Sequence, residues 1–129
     1  MTDPIQGVTP RLALMALDAY ELRQRVIANN IANADSVGYR PMRVNFESQL
    51  QALQSAARSG ASAAELGRLA DRVRPAVEFR SIDNRAEDTS ARLDDEMAAM
   101  VQNTMQYEAV ITALERIGDL TSLALGGAA

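Results

Sequence analysis

The chain has 129 residues, a net charge of −4, and a composition that is 47% hydrophobic but only 4% aromatic. One domain or one extended helical protein fits that length, and an apolar mass of Ala, Leu, Val and Met suits helix packing better than a sheet sandwich. Cys, His, Trp and Lys are absent and the Arg residues are scattered, which excludes thiolate and imidazole catalysis and Cys/His metal sites, and argues against a nucleic-acid surface.

The first long element begins at Thr9-Pro10, an N-cap residue followed by a Pro whose missing N–H costs nothing at the first helical position. Leu12, Met15, Ala19, Leu22, Val26, Asn29 and Asn33 follow at spacings of three and four, a heptad seam whose last two positions are polar. Leu17, Tyr20, Ile27 and Ile31 form a second apolar flank, while Glu21 and Arg25 pair at i,i+4 on the remaining face. Gly38 can adopt a left-handed conformation and Pro41 pushes Arg40 out of the α region, so the helix is expected to stop between Ala34 and Val37.

Residues 42–90 differ in character. Asn45 is placed to cap a short helix carrying Phe46, Leu50 and Leu53, and "SAARSGAS" (55–62) reads as a flexible connector. Ser62-Ala-Ala-Glu65 is a capping box that opens a second short helix ending near Val73. Val77 and Phe79 alternate weakly, as in a short strand or an extended arm, and residues 80–91 are polar without period. Much of this middle is expected to be irregular.

The last long element starts between Ser90 and Asp94, with Asp94, Asp95 and Glu96 expected in its first turn. Leu93, Met97, Met100, Thr104, Tyr107, Ile111 and Leu114 repeat the three-four spacing, and Gly118 and Gly126-Gly127 read as its fraying end. The expected fold is therefore all-α: two long terminal helices packed as an antiparallel, coiled-coil-like pair around a variable middle. The segments are residues 1–41, 42–90 and 91–129, together one helical domain. The polar end of the first helix should lie near the stretch from Leu93 to Met100.

Little here suits catalysis. Asp94, Asp95 and Glu96 are the only carboxylate cluster, and consecutive helical residues diverge; no glycine-rich phosphate loop occurs, and no cofactor is implied. Met97, Met100 and Met105 fit gap-filling between helices better than an adaptable binding face. The start of the chain has no basic, apolar leader pattern. That suggests either a cytoplasmic protein or export without a cleaved signal.

The stretch "IANNIANADSVGYRP" (27–41) breaks the helical rule. Asn is a poor helix former, yet Asn29, Asn30 and Asn33 occupy the last turns. Asn33 and Asp35-Ser36 could simply cap the helix; alternatively, the seam amides dock against a returning turn or another subunit and fix register.

"ANNIANADSVGYR" closely resembles the N-terminal signature of bacterial flagellar axial proteins, roughly Asn-Asn-hydrophobic-Ala-Asn-x-x-Thr-Pro-Gly-Tyr. Asn29, Asn30, Ile31, Ala32, Asn33, Gly38 and Tyr39 match it, while Ser36-Val37 stands where Thr-Pro is usual. "LDDEMAAMVQNTMQYEAVITAL" resembles the family's C-terminal half, with Asn103 and Tyr107 at the expected places; with the spacing above, Met97, Met100, Asn103, Tyr107, Ile111 and Leu114 are the expected packing positions of this helix. The short length and "RVNFESQLQAL" resemble the rod members at the proximal end. The resemblance implies a structural subunit, not an enzyme, exported through the flagellar type III apparatus and stacked into a helical tube. Implied partners are other rod subunits, the rod-to-ring adaptor, the membrane-ring (MS-ring) protein and the export gate, in homo- and hetero-oligomers without nucleic acid. Another rod protein of the family, or a type III-secreted helical effector or adaptor, would share many of these features.

Overall fold

The computed structural model describes residues 10–81 and 89–126. Its elements are α1 (Pro10–Ala32), β1 (Met42–Asn45), α2 (Glu47–Arg58), α3 (Ala63–Asp71), β2 (Ala76–Phe79) and α4 (Thr89–Gly126). α1 and α4 run antiparallel: Asn30 meets Glu96, and a helical stretch earlier Tyr20 and Gln24 meet Asn103. The expected long pair is present, but the chain is not all-α. β1 and β2 form a two-stranded antiparallel sheet in which Met42 faces Phe79 and Val44 faces Val77. The Val77/Phe79 alternation signalled β2; β1 was hidden because its four residues run straight into a helix.

The core sits where α1 meets β1. Ala19 and Val26 of α1 pack on Val44 and on Phe46, the largest fully buried side chain. The Phe46 ring lies edge-on to Tyr20, with centroids 5.2 Å apart. Burying such a ring contributes about 1.5–3 kcal/mol. Arg23 covers this cluster, its guanidinium 4.8 Å from the Phe46 centroid and 5.7 Å from that of Tyr20. The same guanidinium donates to the Val44 carbonyl at 2.8 Å and pairs with Glu47.

The α1 ladder stops at Ala32, slightly before the expected window, and Asn33 N–H still donates to the Asn29 carbonyl at 3.1 Å. The expected cap at Thr9 lies outside the described residues. Gly38 has φ 77° and occupies the third position of a turn closed by Tyr39 N–H on the Ser36 carbonyl at 3.2 Å. The chain then returns as β1 along the helix it has just left.

The middle is more regular than its composition suggests. Asn45 belongs to β1 and does not cap α2; Phe46 holds the cap position without a side-chain bond, because its ring is in the core. "SAARSGAS" is a helix end with a tight turn. Ala61 N–H reaches the Ala56 carbonyl at 3.1 Å, Gly60 N–H reaches Ala57 at 3.2 Å, and Gly60 has φ 85°, a Schellman geometry. The Ser62–Glu65 capping box is fully formed. Gln49 then presents its side-chain amide to Arg74, donating to the carbonyl and accepting from the N–H, both at 2.8 Å.

α4 corrects the seam register. Among its half-buried and buried positions, Leu93, Glu96, Met100, Asn103, Tyr107, Val110, Leu114 and Ile117 form an unbroken three-four repeat, with Ala99, Gln106, Ile111 and Ala113 beside it. Met97 is 60% exposed, beside the seam, and Thr104 is also exposed. Of these three α4 methionines only Met100 is half-buried in the seam, since Met105 is 66% exposed as well. The helix starts at Thr89, so the acidic triplet falls after its first turn, with Asp94 and Asp95 exposed and Glu96 buried. Gly118 does not end α4, which continues to Gly126; Gly127 lies outside the described residues.

Candidate functional site

The Asn cluster is built around Asn30, 2% exposed. Its Oδ1 accepts from Met42 N–H at 3.0 Å and from the Tyr39 hydroxyl at 2.8 Å. Its Nδ2 donates to the Met42 carbonyl at 2.8 Å and to both Glu96 carboxylate oxygens at 3.3 Å. A primary amide offers two donors and two lone pairs side by side, and here all four directions are used. Towards Met42 it behaves as a peptide group of a missing strand. Asp could not donate, and Gln would set the amide one methylene too far.

Asn29 and Asn33 support this anchor from outside. Asn29 Nδ2 donates to the Tyr39 hydroxyl at 3.2 Å, while Asn33 Nδ2 donates to the Asn29 carbonyl at 2.9 Å and to Asn29 Oδ1 at 3.1 Å. Asn29 is exposed. Seam assignment by spacing thus fell one residue short, and the buried amide is its neighbour. The Tyr39 phenol is raised above its ordinary value, by desolvation first and then by the Glu96 charge, against the opposing bond from Asn29. It therefore stays protonated and able to donate.

Glu96 extends the network. Arg80, just past β2, pairs with Glu96 Oε1 at 2.7 Å, and the Glu96 side chain is 4% exposed. Arg80 N–H also donates to the Pro41 carbonyl at 2.9 Å. Four segments therefore meet at one point: the end of α1, the corner, the small sheet and the start of α4. Arg92 of α4 reaches the Ala34 carbonyl at 3.2 Å, a cation placed at the negative end of α1. One helical stretch away, buried Asn103 donates to the Tyr20 carbonyl at 2.9 Å and to Gln24 Oε1 at 2.8 Å. Its Oδ1 has no hydrogen-bond partner among the described residues. Asn30, Arg92 and Asn103 each hold a backbone group of another segment in place.

A model of the flagella basal body rod protein family matches residues 11–40, which is α1 plus the corner up to Arg40. The chain is 30% identical over 124 residues to the flagellar basal body rod protein FlgB of Yersinia ruckeri, covering 88% of this chain and 90% of that protein. The chain belongs to the FlgB family of flagellar basal body rod proteins. FlgB of Borrelia hermsii is 32% identical over 108 residues, 74% of this chain and 79% of that protein, and FlgB of Escherichia coli K12 is 29% identical over 109 residues, 77% and 79%.

The protein is accordingly a structural subunit of the flagellar basal body rod, and it works among other rod and basal body components. Of the signature positions, Asn29, Asn30, Asn33, Gly38 and Tyr39 converge on the corner. Ile31 is half-buried beside it, and Ala32 is exposed at the helix end. On α4, Met100, Asn103, Tyr107 and Leu114 lie in the seam, Ile111 flanks it and Met97 does not enter it. Sequence reasoning missed Glu96, Arg80, Arg92 and the Met42 backbone. Glu96 did carry a signal, three residues after Leu93 and seven before Asn103, but apolar Met97 drew the register away.

Proposed function

We propose that this chain builds the proximal part of the rod, as one unit of an open helical tube that transmits torque. The observation that carries this reading is a second apolar row on α4. Met97, Val101 and Met105 recur at every fourth residue and are 60%, 61% and 66% exposed, and Leu120, Leu123 and Leu125 continue the apolar exposure at 67%, 72% and 73%. A helix apolar on two faces has one neighbour in the chain and one outside it. A contact between this row and a different patch on the next subunit does not close, and so grows a filament.

In this reading the Asn30 corner sets the register between subunits by fixing the angle at which β1 leaves α1. Asn29, Ile31, Ala32 and Tyr39 lie at the surface of the corner and meet a neighbour. The partners are other rod subunits, the rod-to-ring adaptor, the MS-ring protein and, during export, the type III gate. The test is recovery of the chain from purified basal bodies. The chain is expected there only in cells with a working flagellar export apparatus; incorporation without that apparatus would overturn the export route.

A further inference from the structure

The two edges of the small sheet are treated differently. Arg80 N–H bonds to Pro41, so Pro41 and Arg80 face each other across the ladder. Antiparallel pairing alternates, which turns the main-chain groups of Met42 and Val44 away from β2 and those of Val77 and Phe79 away from β1. On the β1 side three of these four outward groups are taken: Asn30 holds both groups of Met42, and Arg23 holds the Val44 carbonyl. On the β2 side the outward N–H and C=O groups of Val77 and Phe79 have no partner among the described residues.

The same two residues leave apolar side chains exposed, with the Arg40 guanidinium lying 4.6 Å from the Phe79 ring centroid. Val77 and Phe79 are 48% and 58% exposed. They share a sheet face with Val44 and Met42, which lie directly opposite them, and Val44 is buried against α1. The apolar face of the sheet therefore runs past the helices that cover its other half. Glu78 lies on the opposite face, bonded by Arg43 Nε to Oε1 at 2.7 Å, with its side chain 39% exposed. Its Oε2 accepts no bond from the described residues. An unpaired edge with exposed apolar residues is a template for strand addition.

We propose that the outer edge of β2 receives an extended segment from a neighbouring axial subunit, apolar at the alternate positions that flank a cationic residue facing Glu78. The inference rests on the chain's role as an assembled rod subunit. Another copy's β2 does not fit: it would use one patch twice and close as a dimer, whereas a tube needs contacts between different patches. In the centred register it would also set Glu78 against Glu78, a destabilising cross-strand pair. Another copy's β1 does not fit either, because Asn30 and Arg23 occupy its edge. Charge complementarity selects the remaining occupant, a segment that brings a cation to Glu78.

Val77→Pro tests this in cells deleted for the gene. It removes one N–H that points away from β1, a loss that an edge strand tolerates. Val77→Thr keeps that N–H and removes apolar character. The parent chain should restore swimming; if it does not, the rod reading fails rather than this one. Val77→Pro should give the parental circular dichroism spectrum but lose incorporation into basal bodies and swimming, while Val77→Thr should swim. Normal incorporation of Val77→Pro, or equal loss in Val77→Thr, would overturn the proposal. A benzoylphenylalanine photo-cross-linker replacing Phe79, which keeps the Glu78 charge, decides the matter should Val77→Pro misfold. In intact basal bodies it should join an extended segment of a different axial protein; a dimer of this chain, or no product, would overturn it.

Discussion

Asn30→Ala is the substitution that most directly separates the structure from the spacing. It leaves both main-chain groups of Met42, the Tyr39 hydroxyl and one side of Glu96 without their shared partner. Each such bond contributes about 1 kcal/mol net, and Glu96 keeps Arg80, so the loss should come to about 3 kcal/mol. With a urea m value of about 2 kcal/mol/M, the unfolding midpoint followed by circular dichroism at 222 nm should fall by about 1.5 M. Asn29→Ala is the control. Asn29 is exposed, and its bond to Tyr39 is 3.2 Å long, so the cost should stay below about 1 kcal/mol. Asn30→Asp should sit near Asn30→Ala at neutral pH, because it keeps the acceptor but turns a carboxylate towards Glu96 and the Met42 carbonyl. Equal losses at Asn29 and Asn30, or a change at Asn30 within about 0.5 kcal/mol, would refute the claim that a single amide anchors the corner.

Arg80→Met should cost about 3–5 kcal/mol by stranding the buried Glu96 carboxylate, whereas Arg25→Met, which breaks an exposed i,i+4 pair with Glu21, should cost less than about 0.5, both read from urea midpoints. Gly38→Val should cost about 1–2 kcal/mol in thermal unfolding and impair rod assembly, while Gly38→Asn should cost clearly less; a Cβ there meets nothing within 4 Å, so the strain is all backbone. Gly60→Val should be destabilising too, since Gly60 has φ 85°, and its effect should appear in α2–α3 exchange protection rather than in swimming. Burial raises the Glu47 carboxyl, but bonds from Arg23 and from the backbone N–H groups of Glu47 and Phe46 outweigh it and hold the group below its ordinary 4.5. A depressed folded value gives stability that is complete above 4.5 and is lost as the pH falls through the folded value, so the stability gap between the parent and Glu47→Gln should shrink with acidification there.

The helix pair was legible because heptad spacing on both elements forces an apolar seam, and the corner because Gly38 and Pro41 constrain the backbone so strongly. The capping box at Ser62 was legible for the same local reason. What escaped was decided at long range. Asn45 has the chemistry of a cap, but Phe46 must enter the core and drags the preceding residue into a strand. The connector around Gly60 has a flexible composition, yet its glycine serves a left-handed helix stop. Glu96 looks like a surface charge at a helix start until Arg80, distant in sequence, arrives beside it. Asn30 and Asn29 are adjacent and chemically identical; only the path of the returning β1 decides which one is buried.

Electron cryomicroscopy of basal bodies from cells lacking this chain reads its structural part in the rod directly. Membrane rings without a rod are expected, with the rod restored when the parent chain is returned. A complete rod in the deleted strain would contradict it.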